Sequence, residues 1–111
     1  MITLTVKGKD YPIKITTRAA LDMEEKLGTN PLNTILKIQR NEELPDLKTL
    51  LVMLHYSLQK LNHGISWNDT LQLFDDYCED DGDIVTLLEL IVDAFKESGL
   101  IKVAEETDPN F

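Results

Sequence analysis

Residues 46–61, "DLKTLLVMLHYSLQKL", are the most leucine-rich stretch of this 111-residue chain. The leucines recur three and four residues apart, and this spacing predicts an amphipathic helix over residues 47–62. Val52, Met53 and Tyr56 lie off the leucine row and are also largely apolar. A helix that is apolar on more than one face is either central to its fold or offers its second face to another chain. The sequence leaves both alternatives open.

The N-terminal residues alternate between apolar and polar side chains on both sides of a glycine-containing turn at residues 8–10. This period of two predicts a β-hairpin over residues 2–16. Its apolar row consists of Ile2, Leu4, Val6, Tyr11, Ile13 and Ile15. Because an isolated hairpin is marginally stable in water, we expect this row to pack on the helices that follow.

Helix start and stop residues divide most of the remaining chain. The predicted caps are Thr16 or Thr17, Asp46, Ser66 and Asp83, and the predicted stops include Gly28, Gly82 and Gly99. The predicted helices span about residues 18–27, 31–40, 47–62, 67–81 and 84–98. The sequence therefore predicts an α+β fold, in which an N-terminal β-hairpin packs on a small bundle of about five α-helices. We expect one domain over residues 1–101 and a flexible C-terminal tail over residues 102–111.

The composition is that of a soluble globular protein, with 42% hydrophobic and 28% charged residues and a net charge of −9. The charge is unevenly placed. Residues 1–41 carry seven bases and four acids, whereas residues 42–111 carry four bases and sixteen acids. Phosphate backbones repel an acidic chain, so nucleic-acid binding is not expected. The asymmetry permits a basic partner or head-to-tail contact between copies, or serves only solubility.

Several features predict a cytoplasmic protein. No apolar run approaches the roughly 20 residues that span a bilayer, and the N-terminus lacks the pattern of a signal peptide. The single cysteine, Cys78, cannot form an internal disulfide, which fits a reducing compartment. We therefore expect no membrane association.

An acidic stretch at residues 74–90, "FDDYCEDDGDIVTLLEL", raises the question of a calcium loop. With Gly82 at the sixth position of such a loop, Tyr77 stands at the first position and Leu88 at the twelfth, where carboxylates are required. A junction between two helices explains the stretch better than a calcium loop does. Gly82 ends one helix, Asp83 caps the next, and the remaining acids form a solvated face. We therefore predict no metal site.

The other residues with reactive side chains lack partners at a useful spacing. His55 and His63 are eight residues apart, too far for a helical pair. Cys78 falls on the apolar stripe of its helix, where we expect a small buried side chain. Trp67, at a helix start, is expected to pack into the core. No phosphate loop or nucleophile motif is present, so we predict no catalytic residue, no cofactor and no enzymatic activity.

Two stretches resemble a known family. They are "TTRAALDMEEKLGTNPL", residues 16–32, and "ISWNDTLQLFDDYCEDDGDIVTLLELIVDAFKESGL", residues 65–100. The pattern Arg-Ala-x-x-x-x-Glu-x-x-x-Gly with Asn-Pro-Leu after it, and Asp-Gly-Asp followed by an amphipathic helix and Ser-Gly, resemble the tail assembly chaperones of long-tailed phages and prophages of Gram-positive bacteria. Together with the hairpin and the leucine-rich helix, the resemblance covers nearly the whole chain.

The resemblance implies a non-enzymatic helper protein. Such a chaperone binds the tape measure protein, assists polymerisation of the tail tube protein around it, and self-associates along this long client. It acts in the host bacterial cytosol and is not part of the mature virion. The family has no catalytic motif, so the resemblance assigns no active-site residue.

A protein that holds a client needs apolar surface for it. We expect Val52, Met53 and Tyr56, together with Leu100 and Ile101, to contribute to partner binding. The alternative is that the three helical residues complete the core. A competing function is that of a small acidic regulatory binding protein, such as an antitoxin or an enzyme inhibitor.

Overall fold

The computed structural model of the protein describes residues 1–101, which form a two-stranded antiparallel sheet followed by five α-helices. The elements are β1 (Ile2–Val6), β2 (Lys9–Ile13), α1 (Thr17–Leu27), α2 (Pro31–Gln39), α3 (Leu47–Leu58), α4 (Trp67–Glu79) and α5 (Ile84–Ser98). This arrangement confirms the predicted α+β fold of a hairpin and five helices. The predicted flexible tail, residues 102–111, lies outside the described residues.

The hairpin turn lies one residue earlier than expected. Lys7 and Gly8 form a two-residue loop, because Val6 already pairs with Lys9. Both loop residues have positive φ, 50° and 79°, as in the tight hairpin turns whose twist matches that of the strands. The inward-facing side chains are buried as predicted and include Leu4, Val6, Ile13 and Ile15.

Helix α3 is the centre of the fold. It contacts α1, α4, α5 and β2. Its buried residues are Leu50, Leu51, Val52, Met53, Leu54, Ser57 and Leu58, which lie around most of its circumference. Of the two alternatives left open by its apolar faces, the structure therefore selects a central position.

Helix α3 ends at Leu58, four residues earlier than predicted. The Asn62 side chain reaches back from the following turn, and its Nδ2 donates to the carbonyl of Leu58 at 2.9 Å and to that of Pro12 at 2.8 Å. The backbone N–H of Lys14 also donates to the carbonyl of Ser57 at 2.9 Å. These bonds join the end of α3 to the outer edge of the hairpin.

The helix starts are capped as predicted. The side-chain oxygens of Thr16, Asp46, Ser66 and Asp83 each accept from a backbone N–H three residues later. At α4 the cap is a complete capping box, because Asp69 also accepts from the backbone N–H of Ser66 at 2.9 Å. The backbone hydrogen bond from Thr86 lowers the pKa of Asp83, since it stabilises the carboxylate form.

The buried side of α4 differs from the predicted stripe. Thr70, Leu73 and Tyr77 are buried, whereas Cys78 is exposed, so the prediction of a buried cysteine is wrong. Trp67 is also partly exposed rather than buried in the core. Thr70 can be buried because its hydroxyl is hydrogen-bonded.

The junction between α4 and α5 corrects the role predicted for Gly82. The left-handed residue is Asp81, with φ 67°, and the N–H of Gly82 donates to the carbonyl of Tyr77 at 2.9 Å. The aromatic ring of Tyr77 lies directly against Gly82, so that a Cβ at this position would overlap with it. The Tyr77 hydroxyl donates to the carbonyl of Asp83 at 2.7 Å. Gly82 is therefore required for close packing and not for its φ.

His55 occupies a partly buried site between α3 and α4. The Thr70 hydroxyl donates to the carbonyl of Ser66 at 3.1 Å, so it accepts from Nδ1–H of His55 at 2.8 Å. The Trp67 ring packs edge-on to the imidazole, with ring centroids 5.5 Å apart. Burial lowers the pKa of His55 below its ordinary value of 6.5, and the positive charge of Lys26 lowers it further.

We expect Gly82→Ala to lower the free energy of unfolding by about 1–3 kcal/mol, because the added methyl group displaces the Tyr77 ring. Asp81→Gly is the matched control, because Asp81 is the neighbouring left-handed residue and glycine adopts this conformation without strain. We expect this variant to leave the free energy of unfolding unchanged or to raise it. Urea denaturation measures both. Equal losses in the two variants would contradict the packing role of Gly82.

We expect the stability of the protein to fall as the pH drops below 6.5, the ordinary pKa of histidine. The unfolded chain then binds a proton at His55 that the folded chain resists, so the loss of stability grows until the pH falls below the lowered pKa of the folded state and stays constant below it. His55→Gln removes this contribution. Urea denaturation at pH 7.5 and pH 5 should show a smaller pH-dependent loss in the variant than in the wild type, and an equal loss in both proteins would refute this role.

Candidate interaction groove between α2 and α5

A groove with a volume of about 730 Å³ lies beside α5. Its opposite side is formed by the end of α2 and by the connection that follows α2. Its apolar lining consists of Ile38, Leu44, Val85, Leu88 and Val92, and its charged lining of Glu43, Glu89, Asp93 and Lys96. The groove thus combines an apolar surface with mainly acidic residues.

Helix α5 supplies one wall through a second apolar row. Val85, Leu88 and Val92 are spaced three and four residues apart, which places them on one side of the helix. Leu88 and Val92 are buried at the base, whereas Val85 is 57% exposed. Glu89 and Asp93 follow Val85 at intervals of four residues, so they form an acidic row beside the apolar one.

The other wall is built by the turn that ends α2. Asn41 has a φ of 56°, its N–H donates to the carbonyl of Ile38, and the N–H of Glu42 donates to that of Lys37, both at 3.0 Å. This pair of bonds is the Schellman motif, which ends a helix and reverses the chain. The reversal is followed by Leu44, which lines the groove and remains 66% exposed.

The charges along the groove are partly compensated. Glu43 forms an ion pair with Lys37 at 3.3 Å, and Asp93 with Lys96 at 4.0 Å. Within residues 1–101, Glu89 has no ion-pair partner. Exposed ion pairs contribute little to stability, so a ligand can compete for these carboxylates at small cost. The groove therefore offers apolar contact together with attraction for positive charge.

The residues predicted to bind a partner lie elsewhere. Val52 and Met53 are buried, with Met53 0% exposed within the main core cluster, so neither can contact a partner in this conformation. Val52 and Met53 instead complete the core, which was the alternative prediction, because neighbouring elements surround α3. Tyr56 and Ile101 pack against the same core and are partly buried, and Leu100 is partly exposed.

The sequence alone does not separate the groove residues Val85 and Val92 from the apolar residues of α5 that face the core. Ile84, at the start of the helix, is also apolar and is exposed. The available signal was the width of the apolar arc. Helix α5 has apolar residues at nine of its fifteen positions, Ile84, Val85, Leu87, Leu88, Leu90, Ile91, Val92, Ala94 and Phe95. One core-facing stripe does not require so many.

The acidic stretch before α5 acts as an attachment for the hairpin. The backbone N–H of Lys7 donates to Asp80 at 2.7 Å, and its Nζ donates to Glu79 at 3.0 Å and lies 3.6 Å from Asp76. The hydrogen bond to Glu79 raises the pKa of Lys7. Residues 1–101 contain no group of three or more His, Cys, Asp or Glu side chains arranged to hold a metal ion.

Comparison with protein families matches residues 2–108 to a family described as being of unknown function, DUF6096. No curated protein and no solved structure gives a significant match to the chain. None of the helices within residues 1–101 is long and apolar enough to cross a membrane.

We expect Met53→Ala to lower the free energy of unfolding by about 2–5 kcal/mol, because it leaves a cavity in the core. Leu47→Ala in the same helix is the control. Leu47 is 53% exposed, so its truncation should change stability by no more than about 0.5 kcal/mol. Thermal or urea denaturation measures both, and an unchanged stability of Met53→Ala would show that this side chain is not part of the core.

Proposed function

This chain belongs to the family of unknown function DUF6096, and we propose that it is a non-enzymatic tail assembly chaperone of a phage or prophage. In this role it binds the tape measure protein and assists polymerisation of the tail tube around it. The observation that carries the proposal is the groove between α2 and α5, where Leu44 and Val85 expose apolar surface to solvent.

The groove supports a binding role because it gathers the exposed side chains of Leu44 and Val85 into one concave surface. A small domain with a well-buried core has no need of Leu44 and Val85 for its own stability, since most of each side chain lies in solvent. A client with apolar segments is the partner that this surface suits. The client side chains would leave water on binding, and this transfer is favourable.

The charge of the chain supports the second requirement of a chaperone, which is solubility of the complex. A net charge of −9 on 111 residues opposes non-specific aggregation of the coated client. The acids are concentrated in residues 42–111, the part that includes α5. Self-association along the client, action in the host cytosol and absence from the mature virion belong to the same proposal.

We expect co-expression with the tape measure protein encoded beside this chain to move that protein from the insoluble to the soluble fraction. The two proteins should then elute together in size-exclusion chromatography. The double variant Leu44→Lys and Val85→Lys should reduce the soluble client severalfold, because it places charge on the apolar groove. Leu21→Lys on α1 is the control, since Leu21 and Val85 are both 57% exposed.

A client that stays insoluble and forms no complex with the wild-type chain would refute the chaperone function. Gene order separates this function from that of a regulatory binding protein. The chaperone gene should lie between the gene of a tail tube protein and a very long gene for the tape measure protein, whereas an antitoxin gene should neighbour that of a toxin.

A further inference from the structure

We propose that the groove between α2 and α5 binds an amphipathic α-helix of the client that carries lysine or arginine residues beside its apolar row. This inference rests on the proposed function, in which the chain binds a client protein. It adds the conformation and the charge of the client segment that is bound.

The backbone of the α5 wall favours a helical ligand over an extended one. Val85, Leu88 and Val92 lie within α5, where the helix ladder already uses the backbone N–H and C=O groups. Within residues 1–101 no strand edge lines the groove, so the backbone groups of an extended segment against α5 would lose water without gaining ladder partners. A helix satisfies these groups internally, so it can lie against the apolar wall at no such cost.

The dimensions of the groove set the length of the bound segment. The lining residues of α5 run from Val85 to Lys96. At a rise of about 1.5 Å per residue this wall is roughly 16 Å long, which is three helical turns. A client helix of this length presents apolar residues at positions i, i+3 or i+4, and i+7. These residues would contact the exposed side chains of Leu44 and Val85 and cover the base formed by Leu88 and Val92.

The charges of the groove select a basic helix. Glu89 lies beside the apolar row and has no ion-pair partner within residues 1–101. Asp93 and Glu43 add two further carboxylates, against the single lining base Lys96. An acidic helix would bring like charges together in a site from which water is partly excluded, and this costs free energy. Lysine or arginine beside the apolar row instead meets carboxylates.

Two designed peptides test this inference on the full-length chain. Each is a fluorescently labelled helix of about four turns with leucines at i, i+3, i+4 and i+7. One carries lysines beside the leucines and the other carries glutamates at the same positions. Fluorescence anisotropy should show saturable binding of the lysine peptide only. No binding of the lysine peptide, or equal binding of both peptides, overturns the inference.

Groove variants locate the binding site. Val85→Lys should weaken binding of the lysine peptide by about tenfold or more, which corresponds to roughly 1.4 kcal/mol. Leu21→Lys introduces the same charge at a position of equal exposure on α1 and should leave the affinity within about twofold of the wild type. Circular dichroism of each variant verifies that it is folded. Equal weakening by both substitutions would show that the lysine peptide responds to net charge alone, and the inference would fail.

Reversal of one charge tests the selection of a basic ligand. Glu89→Lys should weaken binding of the lysine peptide and strengthen binding of the glutamate peptide, so that the preference shifts toward the acidic ligand. A second copy of the chain is the competing occupant. If sedimentation shows self-association that Val85→Lys abolishes, and the lysine peptide does not compete with it, the groove is an interface between copies and the inference is wrong.

The peptide and co-expression experiments fail independently. Binding of the lysine peptide in the groove, with no effect on the tape measure protein, would remove the chaperone function and leave the groove as a site for another basic helix. A soluble complex with the tape measure protein that is unaffected by Val85→Lys and Glu89→Lys would support the chaperone function and overturn the groove as its binding site.

Discussion

Burial of α3 organises the structure, because this helix cannot be exposed on any large part of its circumference without leaving leucine, valine or methionine side chains in water. Three helices and the second strand of the hairpin contact it. Seven of its twelve residues are buried, including the polar Ser57, whose hydroxyl donates to the carbonyl of Leu54 at 2.7 Å. The other elements are each apolar on a narrower face, and they reach low free energy by covering this helix.

The hairpin is held by polar contacts at both ends as well as by its apolar face. At the turn, Lys7 binds carboxylates at the end of α4. At the other end, Asn62 and the Lys14 N–H connect the outer edge of β2 to the end of α3. Unpaired strand edges invite pairing with other chains, so these bonds also make part of this edge unavailable for such association.

Helix α5 serves two purposes, and this division connects the fold with the proposed function. Its inner face, with Leu87, Ile91 and Phe95, belongs to the core, whereas Val85 extends the apolar surface into a solvent-accessible groove. Residues of the second kind contribute little to folding, because they remain largely hydrated in the isolated chain. Their position beside carboxylates fits the proposed binding role, since they add little to stability. Substitution there is expected to leave the core that presents the groove intact.

The sequence by itself determined the elements, because caps, glycine stops and apolar periods are local signals that act within a few residues. It also determined the hairpin and the need of α3 for apolar contact. Only the tertiary structure decided which apolar faces are covered. Met53 became core and Val85 became surface, although both are apolar residues on helices, because coverage depends on elements distant in the chain. The same holds for Lys7, whose carboxylate partners lie about seventy residues away, and the role of Gly82 follows from the folded position of the Tyr77 ring. Such contacts have no sequence period, so no local pattern reveals them.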